Sequence, residues 1–327
     1  MARNIGQFAA NNTDILGRPT MLPTALIAIL LLEIGYCLIF GYFMLGDGMA
    51  QRLDELSICI LVYLIAVRVA LVLATFLAAH ALNPVQPPMS TSARLRMMAK
   101  ESVATLLAFS LLIPLSFFLA PRLKNSKSTT VVLMVHGFMS NSGIWWWLAR
   151  QLRRQGITGL DSLNLSPMFG DIDQYVAQLN KRIMQLRSRG VNHVFLIGHS
   201  MGGLVCRAWL QSRTTNGVTA DGLQCQLLTL CTPWFGTRIA RFIPWKNLAQ
   251  MAHRSAWVLA HSARPDFRAL ALYSAHDNVV IPYTSGFDQS IESSELRALG
   301  HLSVLFEPGI ADEILERLRS WPAVKDA

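Results

Sequence analysis

Apolar positions follow two regimes along the chain. Before residue 121 they form long unbroken runs, Met21 to Leu45, Leu56 to Leu82 and Val103 to Ala120. Each is near the roughly 20 residues that cross a hydrocarbon core, so the pattern predicts three transmembrane helices over 21–45, 56–82 and 103–120. The first run is too long for the apolar part of a cleaved signal peptide, and no A-x-A-like site follows it. From Thr130 the runs shorten and alternate with stretches of helical period. Val131–Val135, Val194–Ile197, Leu227–Leu230 and Ala269–Ser274 read as strands, with another near Thr158–Leu165. Helices are expected around Ile144–Gln155, Asp171–Arg189, Gly202–Arg213 and from Glu307 or Pro308 to Leu318. Strands that are apolar without alternation and separated by helices predict a mostly parallel sheet covered on both faces, an α/β fold. The short basic segment Pro121–Thr129 then divides a membrane anchor, 1–127, from a second domain, 128–327.

Two charges interrupt the anchor. Glu33 lies 12 residues before Leu45, and Arg68 lies 12 residues after Leu56. In a helical hairpin both reach the same depth, where an unpaired charge costs several kcal/mol, so they are expected to face each other. Arg3, Arg18, Arg94, Arg96 and Lys100 lie on one side of the three spans, against Arg52, Arg122, Lys124 and Lys127 on the other. That balance favours a cytoplasmic N-terminus. Three spans would then place the C-terminal domain on the outer, periplasmic face of a bacterial inner membrane. If the third segment lies on the surface instead, the domain is cytoplasmic.

Composition supports the membrane reading. Hydrophobic residues make up 52% of the 327 and charged residues 15%, against about 25% charged in ordinary soluble domains. The net charge of +9 is spread over both halves without a basic run interleaved with aromatics. This excludes nucleic acid as the expected partner and suits an anionic lipid surface. Five scattered cysteines with no CxxC pair offer neither a disulfide framework nor a zinc site. No metal and no cofactor are expected.

The chemistry concentrates in Gly198-His199-Ser200-Met201-Gly202, a G-x-S-x-G pattern between a strand and a helix. In that context it is a nucleophile elbow, with Ser200 as nucleophile and His199 as a spacer. A serine hydroxyl needs an imidazole to take its proton and a carboxylate to orient the imidazole. Asp277 directly follows the strand at 269–274, with Asp266 and Asp288 as less well-placed alternatives. His301, in a loop before the final helix, is the expected base. Two main-chain donors are expected to hold the oxyanion, the N–H of Met201 and that of Phe138 in the loop after the first strand.

The stretches VHGF, GHSMGG, TPWFGT, SAHDNVV and GHLSVL occur in this order. Together they resemble the serine α/β-hydrolase superfamily, and within it bacterial triacylglycerol lipases and the lipase-like GPI inositol-deacylase group. The resemblance covers about residues 128–320. It implies a minimal α/β-hydrolase fold lacking two opening strands, and ester hydrolysis through an acyl-enzyme.

An insertion over about 233–265 mixes Trp234, Phe235, Phe242, Trp245 and Trp257 with Arg238, Arg241, Lys246 and Arg254. It reads either as a lid at a membrane interface or as ordinary packing helix. Trp145, Trp234 and Phe235 are candidate substrate contacts. The expected activity is that of a lipase or esterase acting on lipid or long-chain acyl esters beside the bilayer. Acyl transfer or thioester hydrolysis on the same triad, and a catalytically silent membrane scaffold, are the alternatives.

Overall fold

The computed structural model describes residues 21–45, 52–82, 86–123 and 128–320. Six strands run parallel: β1 (Thr130–Val135), β2 (Leu160–Leu163), β3 (His193–His199), β4 (Gln224–Leu230), β5 (Ala269–Tyr273) and β6 (Glu292–Glu295). Their order across the sheet is β2-β1-β3-β4-β5-β6, and a two-residue hairpin pairs antiparallel with the start of β4. The sheet is apolar on both sides because alternate residues feed two cores. Val131, Leu133, Val135, Val194 and Leu196 pack with helices α5 (Ile172–Arg187) and α6 (Met201–Arg213). Val132, Met134, Phe195, Ile197 and Leu228 pack with α4 (Trp146–Arg154) and α7 (Pro308–Ser320).

The expected strands and helices of this domain are all present, with ends shifted by a few residues. Helix α5 is capped by Asp171, whose side chain accepts from the Asp173 N–H, and ends on Arg187, as the helix dipole favours. Strand β6 was not anticipated. Its sequence, Glu-Ser-Ser-Glu, is exposed at every position, so at this edge backbone pairing to β5 makes the strand without help from side-chain burial.

The N-terminal region holds two long helices, α1 (Met21–Leu45) and α2 (Leu53–Leu82). Both are long and apolar enough to cross a membrane, and they expose large apolar side chains such as Leu32, Ile39, Leu61 and Leu77. Arg68 Nη1 donates to both oxygens of Glu33, at 2.7 and 2.8 Å. The charges meet as their matching depths require.

The third apolar segment departs from expectation. Residues 103–120 do not form a span of their own. Helix α3 (Thr91–Leu107) starts earlier, carries Arg94, Arg96, Lys100 and Glu101, and passes into a π turn at Ala108–Leu112. Pro114 follows, where the ring removes a backbone donor and ends the regular helix. Met97, Ala104, Ala108, Leu112 and Ile113 are buried, with Ala108 and Ile113 in the same core as α4 and α7. Their apolar character serves packing against the second domain.

Helix α2 also reaches that domain. Its 30 residues extend about 45 Å at 1.5 Å per residue, well beyond a hydrocarbon core of about 30 Å. Its last turns dock on the second domain. Thr75 Oγ1 accepts from Asn278 Nδ2 at 2.8 Å, and the Leu82 carbonyl accepts from Arg238 Nη1 at 2.6 Å.

The Glu33–Arg68 pair leads to a thermodynamic expectation. Glu33→Leu or Arg68→Leu alone strands a charge among apolar helices, costing about 3–5 kcal/mol. The double variant should recover most of that loss. Thermal unfolding of the detergent-solubilised set as a double-mutant cycle checks it, and additive single effects would contradict the pairing.

Candidate active site

Strand β3 delivers Ser200 at its carboxyl end, directly before α6. Its backbone sits at φ 54°, ψ −126°, a region that costs an L-residue about 1–3 kcal/mol. The surroundings enforce it. Ser200 N–H donates to the Leu230 carbonyl at 3.0 Å, and Thr232 Oγ1 donates to the Ser200 carbonyl at 3.0 Å. A Cβ on Gly203 would lie 2.0 Å from Thr232 Oγ1. No larger residue fits there while the turn keeps this shape.

Asp277 follows β5, the second strand along from β3. Its Oδ1 accepts from the N–H groups of Val279 and Val280 at 2.7 and 2.9 Å. His301 comes from the loop between β6 and α7. Its Nδ1 lies 2.9 Å from Asp277 Oδ2 and 3.1 Å from Oδ1, and both side chains are buried. Nδ1 is thereby engaged, leaving Nε2 as the ring nitrogen that can take a proton. Burial acts to lower the His301 pKa, but the charge and hydrogen bond of Asp277 outweigh it and hold the pKa above the ordinary 6.5. The reciprocal holds for Asp277. Burial pushes its pKa up, His301 more than compensates, and the carboxyl stays below its ordinary range.

The main chain of His301 is held as firmly as its ring. Its N–H donates to Asn278 Oδ1 at 2.9 Å, and His199 Nε2 donates to its carbonyl at 2.9 Å. Burial, with the nearby His301 charge, drops the His199 pKa to about 3, so this imidazole is a neutral strut. His199 holds the spacer position of the elbow, and its ring lies 4.8 Å from that of His301, bracing the loop that carries His301.

The loop after β1 passes directly over the serine. A Cβ on Gly137 would lie 2.7 Å from Ser200 Cβ and 3.3 Å from its Oγ. His136 ties the loop down. Its Nε2 accepts from Leu165 N–H at 2.9 Å, so Nδ1 carries the proton and donates to the Gly137 carbonyl at 2.8 Å. Burial lowers the His136 pKa to about 4 and keeps it neutral. Phe138 is the next residue in this loop. Met201 is the first residue of α6, where an N–H has no intrahelical acceptor.

The expected substrate contacts need correction. Trp145 and Trp234 are fully buried core residues. Trp234 donates its indole N–H to Thr229 Oγ1 at 3.0 Å, and the Arg207 guanidinium lies 4.6 Å from its ring. Trp145 packs edge-on to His199. Phe235 is half-buried against the same core as Trp234. An aromatic cluster beside the loop after β1 comes from Phe138, Phe169 and Trp245. Phe169 and Trp245 stack at 3.9 Å, and Phe138 lies 5.9 Å from Trp245. Trp245 belongs to the insertion, which folds as a 3-10 turn (Arg238–Phe242) and two short helices (Lys246–Met251 and Ala256–Ala260). Phe242 and Ile243 on it are exposed.

Among the described residues, Cys231, Asp277 and His301 bring one donor atom each within 4.8 Å of one another. Two of these donors are already bonded to each other. Burial, and then the Asp277 charge, hold the Cys231 thiol protonated by raising its pKa well above 9.0. This set is better suited to a hydrogen-bonded dyad than to a metal ion.

Residues 125–261 match the family described as "Putative serine esterase (DUF676)". No curated protein matches the chain. Among solved structures it is similar to Aspergillus fumigatus lipase B, with 14% identity, a TM-score of 0.48, and coverage of 58% of this chain and 53% of that one. It is also similar to mature Bacillus licheniformis lipase BlEst2, with 14% identity, a TM-score of 0.47, and coverage of 61% and 96%. Legionella pneumophila phospholipase PlaB has 17% identity, a TM-score of 0.36, and coverage of 44% and 38%. The chain spans about half the length of the first of these. The family match includes Phe138, Ser200 and Met201 but stops before Asp277 and His301, whose places rest on the geometry above. The six-stranded parallel sheet with helices on both faces and its elbow at the end of β3 give this part of the chain an α/β-hydrolase fold, and residues 125–261 within it are similar to a family of serine esterases.

Proposed function

We propose that this protein is a membrane-anchored serine hydrolase that cleaves carboxylic esters of lipids or other long acyl chains through an acyl-enzyme. The observation that carries the reading is the buried Asp277–His301 pair at 2.9 Å, lying at the same sheet edge as the strained Ser200. Ser200 Oγ attacks the ester carbonyl while His301 Nε2 takes its proton, and Asp277 stabilises the resulting imidazolium. The N–H groups of Phe138 and Met201 receive the oxyanion. His301 returns the proton to the leaving alcohol, and water then releases the acid by the same steps. Phe138, Phe169 and Trp245 offer an apolar wall to the acyl chain, with the exposed Phe242 and Ile243 directed to the lipid surface.

Two spans, instead of three, place the N-terminus and the hydrolase domain on the same side. Arg3, Arg18, Arg94, Arg96, Lys100, Arg122, Lys124 and Lys127 then share that side, against Arg52 in the loop between the spans. The positive-inside rule makes it cytoplasmic, which revises the outward placement that three spans imply. Five free cysteines accord with a reducing compartment.

Fluorophosphonate should label the detergent-solubilised protein and leave Ser200→Ala unlabelled. Esters of eight or more carbons should be cleaved faster than those of two to four, and the reverse preference would remove the lipid reading. His301 works only when neutral, so kcat/KM for a soluble ester should fall as pH drops through a midpoint above 6.5. Asp277→Asn should move that midpoint lower and reduce kcat on the order of 10⁴-fold. For topology, a C-terminal green fluorescent protein fusion in bacteria should fluoresce and an alkaline phosphatase fusion should be inactive. The opposite pair of results places the domain outside.

A further inference from the structure

The N-terminal region touches each loop of the proposed triad apparatus except the elbow. Beside the acid, Thr75 bonds Asn278 and the Pro87 carbonyl accepts from His276 Nε2 at 3.0 Å. Beyond the oxyanion loop, Asn141 Nδ2 donates to the Ile113 carbonyl and Ser116 Oγ, both at 3.0 Å. The closest engagement is at the base. Glu101 of α3 is 1% exposed, and its two oxygens accept from the backbone N–H groups of Leu302 and Ser303, each at 2.8 Å. These are the two residues that follow His301. A Cβ on Gly300, the residue before it, would lie 2.4 Å from Glu101 Oε2, so the base loop wraps the carboxylate on both sides.

A buried carboxylate is expensive unless its charge is met. Glu101 has no ion pair among the described residues, since the neighbouring Lys100 pairs with Glu307 at the surface. Two hydrogen bonds from the base loop offset part of the cost. Both oxygens face donors, an arrangement that favours the ionised form, but burial outweighs those bonds and the His301 charge and holds the Glu101 pKa above its ordinary value. A helix that needed only to pack here would be served by an apolar residue.

We propose that Glu101 is a positioning residue for His301, and that the N-terminal region thereby completes the active site. The proposal rests on the reading of Ser200, Asp277 and His301 as a triad. Glu101 lies outside the residues matched to the esterase family, so the hydrolase fold borrows this group from the anchor. Its charge acts on the base together with that of Asp277. The other titratable groups facing His301 are His199, neutral over the working range, and Cys231, held as a thiol.

The test uses the full chain in detergent, with Glu101→Gln, Glu101→Ala and, as control, Lys100→Ala. A short soluble ester reports kcat and KM against pH, and thermal unfolding is followed in parallel. Glu101→Gln keeps the side-chain shape but turns an amide N–H toward a backbone N–H and removes the charge. It should lower kcat about tenfold to a hundredfold, leave KM nearly unchanged, and move the acid limb of the pH profile to lower pH. Lys100→Ala should match wild type. Should the Gln and Ala variants fail to fold, Glu101→Asp keeps the charge and should retain the wild-type acid limb with part of kcat. An unmoved acid limb in Glu101→Gln, or in its place a shifted limb in Glu101→Asp, overturns the proposal. So does a loss of rate that only follows a loss of thermal stability. If wild type itself resists fluorophosphonate, the triad reading fails and this inference with it. If wild type labels and the Glu101 variants match it in rate and pH profile, the Glu101 role alone fails.

Discussion

The turn at Ser200 is the constraint around which the rest of the domain is arranged. An L-residue at φ 54° stays there only if its surroundings leave no cheaper option. Here the β4 backbone, Thr232 and the glycine-only approach of α6 to β3 supply that confinement. The hydroxyl is held at the mouth of the sheet, where the parallel strands also deliver the loops after β1, β5 and β6. Parallel order is what makes this possible, because each carboxyl end opens to the same edge. An antiparallel sheet would send alternate loops to the opposite edge.

Around that point, buried polar groups are satisfied in chains. Leu165 sets the tautomer of His136, which ties down Gly137, which abuts Ser200. Thr75 bonds Asn278, which receives the N–H of His301, whose ring engages Asp277. In a low-dielectric interior an unsatisfied member of such a chain is costly, so each link restricts the next. The N-terminal helices enter the second chain directly. The N-terminal region and the α/β domain are therefore one packed body at this edge, with α3 contributing both apolar cover and a buried carboxyl group.

Much of this was legible in the sequence. The strand runs are apolar on both faces because they feed two cores, and G-x-S-x-G between a strand and a helix predicts the elbow. The placement of Asp277 and His301 followed from chain order and strand ends. Glu33 and Arg68 were matched by counting residues from the ends of their spans. The failures share a cause, since hydropathy reports that a residue avoids water but not what replaces the water. Ala108 and Ile113 look like lipid-facing residues yet pack in the core of a protein domain. Trp145 and Trp234 stand beside motifs yet lie in the core, while Phe169, far from any motif, stacks with Trp245. Strand β6 has no side-chain signature at all. Glu101 reaches a loop about two hundred residues away, and nothing local to either segment announces that contact.

For a chain whose α1 and α2 span a bilayer, as proposed, the docking of the last turns of α2 against Asn278 and Arg238 has a kinetic consequence. A catalytic head joined to its anchor by bonded contacts keeps a set height and attitude over the bilayer. For a substrate dissolved in that bilayer, encounter becomes a two-dimensional search. The effective concentration is then a mole fraction among neighbouring lipids. Diluting the membrane with inert lipid slows such an enzyme, whereas diluting the whole suspension leaves its local supply unchanged.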